Sequence, residues 1–152
     1  MENDFMLQAL NEAQKAYNKL EVPVGAIIVK DNKIISRGHN QKEIQKDCTQ
    51  HAEIIAIRKA CKKLESWRLN DCTMYVTLEP CAMCAGAIIQ SRIKKVYIGT
   101  MDKKTGCCGS VLNLFNDYKF NHHVEVEIGI CQAESEKILK DFFKELRIIK
   151  KK

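Results

Sequence analysis

The residues best suited to chemistry in this chain fall in two short segments. One is His51-Ala52-Glu53 and the other is Pro80-Cys81-Ala82-Met83-Cys84. Two cysteines three apart place their sulfurs on one face of a helical turn, close enough to grip one ion. A helix start offers free N–H groups and a positive partial charge, and both favour the thiolate that ligates metals. Zinc takes cysteine sulfur and histidine nitrogen in a tetrahedral set. His51, Cys81 and Cys84 would give three ligands and leave a fourth position for water, the arrangement of a catalytic rather than a structural zinc. Bound zinc brings the pKa of water to about 7. Glu53, two residues after His51, could take a proton from that water and pass it to a substrate. Such a pair suits hydrolytic attack on an amidine-like carbon with loss of ammonia. Alone, a Cys-x-x-Cys also fits a redox pair, a structural half-site or two packed thiols, and His-x-Glu alone is weak. The combination, some 30 residues apart and opening two helices, points to a catalytic metal.

These segments need elements to hold them. Met6, Leu10, Ala13, Tyr17 and Leu20 recur at helical steps, so residues 4–20 read as an amphipathic helix. Residues 24–29 form an apolar run of strand length, Asp31-Asn32 reads as a turn, and residues 33–37 as the returning strand. Residues 39–50 are polar and irregular, a loop. Residues 51–64 have a helical pattern that Thr49 could cap. Strands follow at 73–78 and 95–99 around a helix at 81–90. Gly106 and Gly109 mark a loop over 100–110, and an apolar turn covers 111–115. Val124, Val126 and Ile128 alternate with Glu125 and Glu127 as a half-buried strand. Ile138, Leu139, Phe142, Phe143, Leu146 and Ile149 mark one face of a final basic helix at about 134–150. The order αββαβαββα predicts an α/β fold, a three-layer α/β/α sandwich with a mixed five-stranded sheet.

Composition agrees with one domain over residues 1–152. The chain has 152 residues, 45% of them hydrophobic and 29% charged, which excludes disordered and low-complexity classes. No apolar run approaches the roughly 18–20 residues that span a bilayer, and the start lacks a secretory pattern, so a soluble, cytoplasmic protein is expected. Eight cysteines then read as reduced thiols. Of the net charge of +6, most comes from residues 137–152, where seven basic residues face two acidic ones. Such an end attracts a polyanion or is a solvated helix face.

At its motifs the chain resembles the cytidine deaminase-like superfamily, whose His-x-Glu and Pro-Cys-x-x-Cys signature marks zinc nucleobase deaminases. More closely it resembles the bacterial tRNA-specific adenosine deaminases. The resemblance runs through Glu21-Val22-Pro23-Val24-Gly25-Ala26, His51-Ala52-Glu53, the stretch from Tyr75 to Ile88, Asp102-Lys103-Lys104-Thr105-Gly106, Gly109-Ser110-Val111, the segment from Asn121 to Val126, and Asp141-Phe142-Phe143. It implies one Zn2+ per subunit on His51, Cys81 and Cys84, with Glu53 as the proton shuttle. It also implies that Asn40 bonds the flipped base, that Val24, Ala52 and Leu78 wall the pocket, and that Asp102 contacts the RNA backbone. The implied reaction is adenosine to inosine at the wobble position of a tRNA anticodon stem-loop, by a homodimer without a membrane partner. Two stretches depart from the family pattern. Asp47-Cys48-Thr49-Gln50 replaces the usual Asp-Pro-Thr-Ala, and Cys107-Cys108 stands where small alanines are common. Cys48, Cys107 and Cys108 are candidate fourth ligands, whereas Cys61, Cys72 and Cys131 read as buried thiols. His122-His123 reads as a loop pair, and Trp67 as a packing residue. The competing readings are a deaminase of free guanine or cytosine, and a non-catalytic zinc module that binds RNA.

Overall fold

The computed structural model describes residues 1–151. Its elements are α1 (Glu2–Asn18), β1 (Gly25–Lys30), β2 (Lys33–His39), α2 (Lys42–Gln45), α3 (Ala52–Leu64), β3 (Thr73–Leu78), α4 (Ala82–Gln90), β4 (Lys95–Thr100), β5 (Glu125–Ile128) and α5 (Gln132–Lys151). The strands form one sheet in the order β2-β1-β3-β4-β5. β1 runs antiparallel to β2 and β3, while β3, β4 and β5 are parallel. This is the mixed five-stranded sheet read from the sequence.

Alternation along the strands builds the two cores. Ala26 and Ile28 of β1, Met74 and Val76 of β3, and Val96 and Ile98 of β4 face one side, against Ala52, Ala56 and Ala60 of α3 and Ala85 and Ile88 of α4. Ile27, Val29, Tyr75 and Tyr97 face the other, against Met6 and Ala9 of α1. Alanine on the helix faces permits close layers, and Gly38 permits a very close one at α3. A Cβ there would lie 2.5 Å from the Ala52 carbonyl and 2.9 Å from the Ala56 nitrogen. The start of α3, with His51 and Glu53, is therefore pressed directly onto β2.

The β1–β2 turn has Asp31 and Asn32 at φ of 52° and 61°, the left-handed pair that a two-residue hairpin requires. The sheet's polarity decides where function gathers. The start of β1 and the ends of β2, β3 and β4 lie at one edge, so Val24, Asn40, Leu78 and Asp102 all leave the sheet there. Open α/β sheets bind ligands beyond the carboxyl ends of their parallel strands.

Several details differ from the sequence reading. α1 starts two residues early and stops at Asn18, because Leu20 turns left-handed. The loop 39–50 contains the short helix α2. Thr49 does not cap α3; its hydroxyl donates to Asp47 (2.7 Å), and His51 occupies the cap position. β5 is an edge strand on which Val126 is only half-buried and Ile128 is exposed. Phe142 is buried edge-on to Tyr17, but Phe143 is exposed. Trp67 is 56% exposed, with the Arg68 guanidinium 4.6 Å from its ring centre, so it is a surface residue rather than a packing one. Cys72 is buried, while Cys61 and Cys131 are half-buried. His122 donates from Nε2 to the Ile93 carbonyl (2.7 Å). No helix among the described residues is long and apolar enough to cross a membrane.

Candidate active site

Two helix starts meet at the sheet edge. His51 is the N-cap of α3 and Cys81 the N-cap of α4, both in extended backbone conformation. Neither side chain bonds to its own helix start. Both are free to turn toward each other instead. The His51 Nδ1 atom lies 3.6 Å from Cys81 Sγ and 3.6 Å from Cys84 Sγ. All three donor atoms fall within 4.8 Å of one another. Cys84 sits one helical turn into α4, on the same face as Cys81.

The electrostatics fit a metal. The hydrogen bond from Cys84, joined by that with His51, holds the Cys81 thiol down at about 4. Cys84 is pushed up because it is the donor in that pair and is buried. His51 is raised by its bond to Cys81. One thiolate already sits among three converging donors, and two helix starts aim positive ends at it. A nitrogen and two sulfurs are a donor set that divalent zinc accepts. Among the described residues no further Cys, His, Asp or Glu donor joins the group; Cys48 is exposed, and Cys107 and Cys108 are buried but stand outside it. A tetrahedral metal held by these three donors would keep one position open for a small molecule.

Beside the cluster lies a cavity of about 190 Å³, below the roughly 300 Å³ at which drug-sized pockets begin. Its lining includes Val24, Asn40, His51, Ala52, Glu53, Leu78, Cys81 and Asp102. The eight residues come from the ends of β2 and β3, the starts of β1, α3 and α4, and the loop after β4. Cys84 is buried in the donor group and does not line the cavity. Glu53 is 3% exposed, and burial lifts its carboxyl to about 7, against the opposing pull of a backbone hydrogen bond and His51. A carboxyl in that range can hold and release a proton at neutral pH. Asn40, 7% exposed, donates from Nδ2 to the Val22 carbonyl (3.2 Å) and accepts at Oδ1 from the Lys42 N–H (3.1 Å).

Two supporting carboxylates escaped the sequence reading. Glu79, 3% exposed, accepts from the N–H groups of Asp102 (2.9 Å), Cys108 (2.9 Å) and Ser110 (3.0 Å) and from the Ser110 hydroxyl. It ties the 101–110 loop to the residue just before Pro80-Cys81. Gly106 is required there, since a Cβ would strike the Glu79 carboxylate. Glu21, 1% exposed, accepts from the N–H groups of Glu43 (3.0 Å) and Ile44 (2.7 Å) and so holds α2. Both stand in family-like motifs, but their partners lie 22 to 31 residues away, and no local pattern announces them. We expect Glu79→Ala to leave one buried and two part-buried amides unpaired, cost about 3 kcal/mol and lower Tm by about 10 °C. Amide exchange is the sharper check: the Cys108 and Ser110 amides should lose protection, and unchanged protection there would contradict this role.

A family model for MafB19-like deaminases matches residues 2–147. A curated tRNA-specific adenosine deaminase of Bacillus subtilis (strain 168) is 48% identical over 147 residues, spanning 97% of this chain and 91% of that protein. The chain belongs to the tRNA-specific adenosine deaminase family. A solved structure from work on A-to-I editing by tRNA:A34 deaminases is 43% identical and superposes with a TM-score of 0.87, covering 90% of this chain and 99% of that one. A guanine deaminase of Bacillus subtilis, also 43% identical, reaches a TM-score of 0.63 over 64% of this chain and 63% of its own. The cytidine deaminase-like fold is common to both neighbours, and the tRNA deaminase matches it along nearly the whole chain.

Proposed function

We propose that residues 1–152 form one zinc-dependent domain that hydrolyses adenosine to inosine and ammonia at the wobble position of a tRNA anticodon loop. The observation that carries this is the buried Glu53 next to a three-donor His51, Cys81 and Cys84 group at the side of a small cavity that Glu53, His51 and Cys81 help to line. Family membership supports the substrate, since the relatives matched over nearly the full chain are named for tRNA adenosine.

His51, Cys81 and Cys84 would hold the zinc, which would supply the Lewis acidity that lowers the pKa of water toward neutrality. The chain supplies the rest. Adenine must leave its stack to enter the cavity, and a single-stranded loop makes this cheap. Val24, Ala52 and Leu78 wall the base, and the Asn40 amide orients it. Glu53 takes a proton from the attacking water and gives it to ring nitrogen 1. It then carries the second proton to the departing amine, so ammonia leaves and the carbonyl of inosine remains. Asp102 sits at the mouth, where it meets the RNA backbone. The basic face of α5 adds phosphate attraction.

We further propose a homodimer, supported by the exposed Val111, Leu112, Tyr118 and Phe120 in the long 101–124 connection. A cytoplasmic location is supported by eight unpaired thiols. The test of substrate is ammonia release by the zinc-loaded protein from an anticodon stem-loop and from free guanine and cytosine. Turnover on the stem-loop with inert free bases is expected. Rapid guanine or cytosine turnover with inert RNA would contradict the proposal.

A further inference from the structure

The rim of the cavity carries one feature that the chemistry above does not use. Lys42 is the sole lysine or arginine among the lining residues. Its side chain is exposed and takes part in none of the ion pairs among the described residues. Its backbone, by contrast, is pinned. The Lys42 N–H donates to Asn40 Oδ1, and the next two N–H groups donate to the buried Glu21 carboxylate. A free ammonium on an anchored backbone, bonded to a pocket-lining asparagine, is placed to meet a ligand.

The acidic neighbours do not account for it. Glu79 is taken up by the 101–110 loop. Asp102 accepts from the Lys104 N–H (3.1 Å), the Thr105 N–H (3.3 Å) and the Thr105 hydroxyl (2.6 Å), which turn its carboxylate toward its own loop, and it forms no ion pair with Lys42. Glu53 lies buried in the cavity lining. The anion that Lys42 can serve must therefore arrive with the substrate. A free base brings none. A nucleotide within a strand brings a phosphate that stays outside while the base enters. Lysine suits that task as a mobile point charge.

We propose that Lys42 is a phosphate clamp. Its ammonium pairs with the backbone phosphate flanking the nucleotide whose base fills the cavity, so the site favours a base carried in a strand. The clamp rests on the RNA substrate reading above. It makes α2, the helix hidden in a polar loop and held by Glu21, a specificity element of the pocket.

The test uses the zinc-loaded protein and an anticodon stem-loop over a series of salt concentrations. Lys42→Ala should raise KM on the order of tenfold, the effect of one charge-assisted contact of about 1.4 kcal/mol, with kcat within about twofold. The slope of log kcat/KM against log salt should become shallower by about 0.7, the value for one phosphate contact on a single strand. Lys42→Arg should restore both. Lys62→Ala, which removes a charge at the far end of α3, should match the wild type. An active wild type whose Lys42→Ala variant keeps its KM and salt slope overturns the clamp alone. So does a loss of kcat at unchanged KM, or an Arg variant that restores nothing. A wild type inactive on the stem-loop overturns the substrate reading and the clamp together.

Discussion

Glu53→Gln is expected to lower kcat for deamination by roughly 10³-fold, within the 10²–10⁴ that positioned proton transfer contributes. The amide keeps the volume of the side chain but can neither take a proton from water nor carry one to the leaving amine. Burial holds the carboxyl near 7, where both protonation states are accessible at neutral pH. Glutamine has no such second state. Zinc content, Tm and KM should stay close to those of the wild type, because Glu53 is outside the donor group. Steady-state kinetics with metal analysis of the same preparation checks this. A variant that turns over at the wild-type rate would remove Glu53 from its role, and one that loses metal would make it a ligand.

Cys81→Ser is expected to lose the metal and, with it, detectable deamination. Cys81 is the sulfur held most strongly as thiolate, and it lies 3.6 Å from the His51 nitrogen. Serine offers a hydroxyl that does not ionise near neutrality, so the site would keep one nitrogen and one thiol, too few for tight binding. Zinc should fall from about one per chain to a small fraction. The fold should persist, since the two hydrophobic cores do not depend on this residue. Metal content and thermal unfolding together separate these effects. Normal zinc in the Cys81→Ser protein would refute the ligand assignment. The two predictions divide the site: one variant keeps metal and loses proton transfer, and the other loses the metal.

Much of this arrangement is legible in the amino-acid sequence. The pair Cys81 and Cys84 and the pair His51 and Glu53 are local spacings, and each declares a helix start. The apolar run of β1, the β-rich stretch of β3 and the helical steps in α3 are likewise local signals, and the two strands are buried on both faces of the sheet. What stays hidden depends on distant partners. α2 has no apolar face and exists because Glu21, more than twenty residues away, accepts from two of its N–H groups. Glu79 looks like a strand-end residue until the 101–110 loop folds back over it. Thr49 has the right chemistry for a cap, but Asp47 takes its hydroxyl first. Trp67 invites burial by its size, yet cation–π contact with Arg68 and Arg92 leaves it stable at the surface. Nothing in the polar stretch 39–50 singles out Lys42, and only the cavity it lines sets it apart from the other lysines.

The direct test of the whole account is the sequence of cellular tRNA from matched cells with and without this protein. Inosine reads as guanosine after reverse transcription. The account predicts an adenosine-to-guanosine change at a wobble position that disappears when the protein is removed and does not return with Glu53→Gln. Wobble adenosines left unchanged in both cell populations, or a change that the Glu53→Gln protein restores, would contradict it.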